Sequence, residues 1–352
     1  AQLIDSGQVT EQDLPREKRG MGRPRAGLVA KGDQATFGAV VWSHGVLDTA
    51  LAGFDGRVKW RHRQPVDFLP RDTEIFHAVD SIVERAERAA ATRLPAALVL
   101  GLPAPYEQGV GLAGGASGDP SERSFTNWFG SDPMSILEAR YKMPVVVEND
   151  ANLGALGESL LGAAKGKRCV IYAKLSANGI GAGITVDGSL LRGSHGFAGE
   201  IAHVRVDDSS TVLCTCGSRG CLEGKLGMAL LQPFADLYGG DFSYSDLLRL
   251  AAEGVPGPVR VLQDAGRTIG RALADLSTYI NPDMIVIDAG AEAGSKIVIR
   301  GVNEQIESSA PPFIRRHLEV QPGRLGEDAA VVGALKLARA SRVAWRSTRR
   351  DA

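Results

Sequence analysis

Three of the four cysteines fall in one run, Cys214-Thr-Cys216-Gly-Ser-Arg-Gly-Cys221, and His203 precedes that run by eleven residues. Three thiols and an imidazole match a closed, tetrahedral structural zinc site in donor number and type. Gly217 and Gly220 let the backbone turn tightly between the donors. Buried free thiols or a disulfide are the competing readings, and a disulfide needs an oxidising compartment of which the sequence gives no sign. A metal at His203, Cys214, Cys216 and Cys221 would commit this stretch to a rigid loop and fix the acidic residues beside it. Cys169, in the apolar run Cys169-Val-Ile-Tyr172, reads instead as a small core residue.

A chain of 352 residues exceeds one ordinary core, so two domains are expected. No uncharged apolar run reaches the roughly 18 residues of a membrane span, and no signal peptide opens the chain, which predicts a cytoplasmic protein. Net charge is −1, so nucleic acid would have to meet a local basic patch rather than the whole surface. Residues 15–25 form such a patch, with Arg16, Lys18, Arg19, Arg23 and Arg25 against Glu17. The arginines from Arg339 to Arg350 read as a solvated end of the chain.

Strands are expected at Thr36–Trp42, Val46–Phe54 and Val58–Arg63, the last two joined by an Asp55-Gly56 turn. A helix follows from Asp72, with Ile75, Val79, Ile82 and Ala86 on one face. Ala96–Leu102 and Pro144–Val147 read as buried strands, and an Ala- and Leu-rich helix runs from about Ala151 to Leu161. The second half repeats the alternation. It has a strand near Cys169–Leu175, a long helix after Pro258 stopped by Asn281-Pro282, a strand at Met284–Asp288 and a closing helix from Ala329. Alternating strands and helices define the α/β class.

Candidate chemistry gathers at three places. Glu148-Asn149-Asp150 ends a strand, where α/β folds place ligand groups; the plainer alternative is a helix cap. Gly199-Glu200-Ile-Ala-His203 sets a carboxylate three residues before the histidine, and Cys221-Leu-Glu223 ties another to the same loop. Three acids and an asparagine beside a rigid loop suit a polyhydroxylated ligand. Gly179, Gly181 and Gly183 follow a strand, and such a run either cradles phosphate or makes a tight hairpin.

In this order the pieces resemble the ROK family (repressor, open reading frame, kinase). The resemblance rests on Glu148-Asn149-Asp150-Ala151-Asn152, Gly179–Gly183 with Gly193, Gly199–His203, the cysteine block through Glu223, Asn281-Pro282-Asp283 and Gly333-Ala334. It implies an actin-like, hexokinase-like (ribonuclease H-like) two-domain fold around a sugar cleft, with Zn2+ in the His/Cys site. It implies sugar contacts at Asn149, Asp150, Glu200, His203 and Glu223. In kinase members the residue matching Asp150 is the base that activates the sugar hydroxyl. The expected division is a wing and linker at 1–30, a first α/β domain at 31–150, a second with the cysteine loop at 151–328, and a closing helix with basic tail at 329–352. Homodimers or higher oligomers are expected by resemblance.

Departures from the kinase pattern decide the expected function. Kinase members carry an Asp-x-Gly-Gly-Thr phosphate loop after the first strand; the matching stretch here is Val40-Val-Trp42-Ser43-His44. Ser176-Ala-Asn178 replaces the usual Gly-Thr-Gly, and Ala202 replaces a usual Gly. The stretch around Gly22-Arg23-Pro24 resembles the wing of a winged helix-turn-helix, with Arg19, Arg23 and Arg25 as DNA contacts. A recognition helix would lie before Ala1. The expectation is a sugar-responsive transcriptional regulator, a repressor, without kinase activity; its partners are a sugar or sugar phosphate and operator DNA. The alternative is an ATP-dependent hexose or N-acetylhexosamine kinase.

Overall fold

The computed structural model describes residues 9–13, 26–30, 35–43, 45–66, 72–90, 94–112, 132–177, 179–214, 216–238 and 242–348. Strand β1 (Val9–Asp13) pairs antiparallel with β2 (Ala26–Ala30). The wing arginines Arg19, Arg23 and Arg25, between these strands, lie outside the described residues, as does His44.

Thr36–Ser43 is apolar from Phe37 to Trp42 and buried along its whole length, as in a strand covered on both faces. It forms β3, at the centre of a five-stranded sheet. β4 (Val46–Gly53) and β5 (Val58–Pro65) extend that sheet as antiparallel neighbours, turning at Asp55-Gly56 with Gly56 at φ 82°. Helix α1 (Asp72–Ala90) crosses to β6 (Leu98–Leu102), which runs parallel to β3. Short strands β7 (Tyr106–Glu107) and β8 (Gly111–Leu112) and helix α2 (Pro133–Tyr141) lead to β9 (Val145–Asn149), parallel to β6. The sheet order is β5-β4-β3-β6-β9.

The chain then builds the same pattern again. Helix α3 (Asp150–Leu161) leads to β10 (Cys169–Ser176), β11 (Gly179–Val186) and β12 (Ser189–Leu190). After the cysteine loop come α4 (Gln232–Tyr238), α5 (Tyr244–Ala252), α6 (Pro256–Ile280), β13 (Met284–Asp288), α7 (Glu292–Ser309), β14 (Glu319–Pro322) and α8 (Ala329–Thr348). The second sheet has the order β12-β11-β10-β13-β14. Both sheets pair their first three strands antiparallel and the remaining ones parallel.

Ile75, Val79, Ile82 and Ala86 pack on one face of the first sheet with Leu98 and Leu100, as their helical spacing predicts. The other face, through Phe37, Ala39 and Val99, takes Ala330, Val331, Ala334 and Ala338 of α8. On the second sheet, Ile171, Ala173, Ile285 and Ile287 pack with α6 and α7. Its opposite face, with Val170, Tyr172 and Val286, takes Ala151 and Ala155 of α3, while Leu153 of the same helix joins the first sheet's core. Helix α3 therefore stands between the sheets and fixes their spacing. Helix α6 stops where expected, with Asn281 as a left-handed cap at φ 51° ahead of Pro282.

Candidate functional site

The carboxyl ends of β3, β6, β9 and β10 converge where α3 begins, the position at which α/β sheets hold ligands. A cavity of about 260 Å³ opens there. That is at the small end of the roughly 300–1,000 Å³ usual for small-molecule sites. Trp42, Asn149, Asp150, Lys174, Glu200, His203 and Glu223 contribute to its lining, as do Gly179 and Gly181. All five sequence-expected sugar contacts are thus brought together.

Asn149 turns out to be a helix cap as well as a wall of the cavity. Its Oδ1 accepts hydrogen bonds from the Ala151 and Asn152 amides at 2.8 and 3.2 Å, and its Nδ2 donates to the Ala104 carbonyl at 3.3 Å. The preceding Glu148 is buried. It accepts from Asn152 Nδ2 at 2.8 Å and from Arg192 Nε at 2.7 Å, tying the first sheet to the loop after β12.

Asp150 is 2 % exposed and does not stand as a lone carboxylate. Ser43 Oγ donates to its Oδ2 at 2.8 Å, and the Lys174 ammonium forms an ion pair with the same oxygen. Lys174 is itself buried and lies 3.3 Å from Ser43 Oγ. These three side chains come from β3, the start of α3 and β10, so the cluster spans both sheets. Sequence reasoning missed Lys174. The available signal was a single lysine in the apolar run Val170–Leu175, since a buried lysine is rare unless paired.

Glu200 and Glu223 face the same cavity from the cysteine loop. Burial, then the nearby Asp150 and Glu223 charges, push the Glu200 carboxyl up to about 7. Burial also raises Glu223, offset by a hydrogen bond it accepts from the Ile180 amide at 3.2 Å. Gly179 sits at φ 116°, and a Cβ there would overlap the Glu223 carboxylate. Glycine is required at that corner for both reasons.

The loop that carries these acids is built around the His/Cys cluster. Short 3-10 turns at Ile201–His203 and Leu222–Lys225 flank it, and Leu222 N donates to the Val204 carbonyl at 2.9 Å. Cys214 N donates to the Ser218 carbonyl at 2.8 Å, closing the turn between the thiols. The donor atoms of His203, Cys214, Cys216 and Cys221 all lie within 4.8 Å of one another. Cys216 and Cys221 sulfurs are 3.7 Å apart, and His203 Nδ1 is 3.5 Å from the Cys214 sulfur. A tetrahedral zinc with bonds of about 2.3 Å to sulfur and 2.0 Å to nitrogen has edges near ~3.8 and ~3.5 Å. The donor set therefore fits a tetrahedral metal ion. Burial lowers the His203 pKa, which favours the neutral ring a metal needs, and raises the Cys221 thiol, so ionised sulfur there calls for a cation. With Nδ1 turned to the cluster, His203 keeps Nε2 for the cavity it lines.

The glycine run forms a hairpin, with Gly179 and Gly181 beside the cavity. Gly179, Gly181 and Gly183 lie in strand β11, hydrogen-bonded along β10, so the hairpin alternative holds. Gly183 does not reach the cavity; a Cβ there would stand 2.6 Å from the Ala151 carbonyl, so the glycine lets β11 lie against α3. At the kinase-loop position, Val40 is buried in the apolar cluster with Leu98 and Leu100, and the Trp42 indole fills space beside Asp150.

The ROK family profile matches residues 44–341, and the chain belongs to that family. The fold is the hexokinase-like α/β fold of its structural neighbours. The chain is 32% identical over 208 residues to the xylose repressor of Bacillus spizizenii, covering 59% of this chain and 54% of that one. It thus spans about half the length of the curated relatives that head this comparison. It is also 32% identical over 212 residues to a glucokinase of Halalkalibacterium halodurans, covering 56% and 64%. Among solved structures, a ROK family transcriptional regulator homologous to the E. coli MLC protein superposes with a TM-score of 0.76 at 23% identity, covering 97% of this chain and 86% of that one. The family thus includes both repressors and kinases, and among the described residues no helix is long and apolar enough to cross a membrane.

Proposed function

We propose that this chain is the effector-binding part of a sugar-responsive transcriptional regulator, a repressor, with no kinase activity. A sugar binds in the cleft against Asn149, Asp150, Glu200, His203 and Glu223. A structural Zn2+ at His203, Cys214, Cys216 and Cys221 holds Glu200 and Glu223 in place. The ligand biases one arrangement of the two sheets over another, and through it the DNA-competent state. Operator DNA meets the N-terminal region, with Arg19, Arg23 and Arg25 as wing contacts, and the regulator acts as a homodimer or higher oligomer in the cytoplasm. The xylose-repressor relatives support a pentose such as xylose as the effector.

The observation that carries the non-kinase part is the state of Asp150 beside the altered loop. The Asp150 carboxylate is paired with Lys174 and bonded by Ser43, contacts that compete with its taking a proton from a sugar hydroxyl. Phosphoryl transfer depends on positioning and charge neutralisation at the phosphates. Trp42 stands where small residues would let phosphate reach the backbone. The glucokinase relative keeps a second reading in play, an ATP-dependent hexose or N-acetylhexosamine kinase. One pair of experiments separates them: calorimetry with D-xylose, D-glucose, N-acetyl-D-glucosamine and their phosphates, and coupled ADP release with the same sugars. Binding without turnover is expected. Turnover near about 1 per second, a rate usual for kinases, would give the second reading first place.

A further inference from the structure

Lys174 is the feature of the cleft that neither the motifs nor the altered phosphate loop account for. Among the described residues lining the cavity it is the only lysine or arginine, set against the carboxylates of Asp150, Glu200 and Glu223. Among the described residues, the hydrogen bonds to the Asp150 carboxylate, from Ser43 and Lys174, end on Oδ2. Oδ1 is therefore left for the cavity. An ammonium has three N–H donors, and two of them are directed at Asp150 and Ser43.

We infer that Lys174 is a specificity-determining residue: its remaining N–H donates to the oxygen of a ligand hydroxyl whose own proton is accepted by Asp150 Oδ1. The pair thereby reads one hydroxyl as acceptor and donor at once. This deepens the sugar-cleft function proposed above and rests on it. Two consequences distinguish the arrangement from a cleft lined by acids alone. A carboxylate can only accept, so acids alone tolerate any donor, water-like or amine, at that place. Lys174 adds the demand for an acceptor, which an amino or deoxy group at the same carbon does not meet. Lys174 is also held in place before a ligand arrives, by Asp150 and Ser43.

The test uses the whole chain and the sugar among D-xylose and D-glucose that binds it more tightly, with its monodeoxy analogues as probes. Wild-type protein should reject one monodeoxy analogue by about 10- to 100-fold, the scale of a lost hydrogen bond to a charged group. The double variant Lys174→Met with Asp150→Asn removes both charges without leaving a buried ion unpaired. It should lose at least about 10-fold in affinity and bind the parent and the rejected analogue equally. Lys174→Arg should restore the discrimination in part. In protein labelled with 15N-lysine, the Nζ resonance lost in Lys174→Arg should shift on saturation with the sugar, a measurement that needs no stable Met variant. An unmoved Nζ resonance, or a double variant that discriminates like the wild type, overturns the inference. If wild-type protein binds none of these sugars, it is the proposed function that fails.

Discussion

At the residue scale the cleft is a set of charges kept in one place by burial. Glu200 shows the consequence most directly. Its folded pKa is raised to about 7, mainly by burial, above the ordinary carboxylate value of 4.5. The folded state therefore holds more protons than the unfolded state between those values, and stability falls as pH rises through that window. The loss is at most about 3 kcal/mol. Thermal unfolding from pH 4.5 to 7.5 should show this decline, and Glu200→Gln should flatten it; equal slopes in both proteins would remove Glu200 as the cause. The same side chain should matter for binding. Glu200→Ala and His203→Ala should each weaken the sugar more than Asp150→Asn does, read by calorimetry.

Elements act by bringing those residues to one point. The start of α3 depends on Asn149, whose side chain caps two amides. Asn149→Ala should cost about 1 kcal/mol of stability, seen as a lowered melting temperature, and should loosen Asp150 one residue later. The cysteine loop depends on its metal. Purified protein should carry close to one zinc per chain, and Cys214→Ser should lose both the zinc and much of the sugar affinity, because Glu200 and Glu223 sit on the same loop. Metal analysis with calorimetry on the same samples checks this; full sugar affinity in zinc-free protein would separate the two sites. Helix α7 shows why elements escape a sequence reading. Gly294, Ser295 and Gly301 depress its apparent helix propensity. Yet a Cβ on Gly301 would crowd the α6 backbone at Gln263 and Arg267, so the glycine permits close packing of α7 on α6.

At the scale of the whole molecule, two sheets of one topology meet through α3, and the cavity lies where they meet. Ser43, Asp150 and Lys174 link the sheets there without any ligand. A sugar that binds only the folded state should raise its stability by about 2.7 kcal/mol at 100 times its dissociation constant. A thermal-shift series against D-xylose and D-glucose reads this directly. Restoring the kinase-type loop alone, with Val40→Asp, Trp42→Gly, Ser43→Gly and His44→Thr, should give no ADP release while Lys174 still pairs with Asp150. Appreciable turnover by that variant would show that the ion pair does not restrain the carboxylate.

The sequence alone determined the α/β class, the central strands, the face of α1, the stop of α6 and the His/Cys donor set. Each of these is written in local spacing, in runs of apolar residues, or in a donor count that few arrangements satisfy. It also placed Asn149, Asp150, Glu200, His203 and Glu223 together, through the family's order of motifs. Only the tertiary structure decided what surrounds them. Lys174 and Asp150 stand 24 residues apart, and Ser43 is 107 residues from Asp150. No local pattern records that three strands' ends meet, because the pairing depends on how two sheets stack across α3. The glycine run was undecided for the same reason. A strand and a phosphate loop have the same glycines; Gly183 pairs with Tyr172 in the β10–β11 ladder, and the Ala151 carbonyl packed against it leaves no room for a side chain.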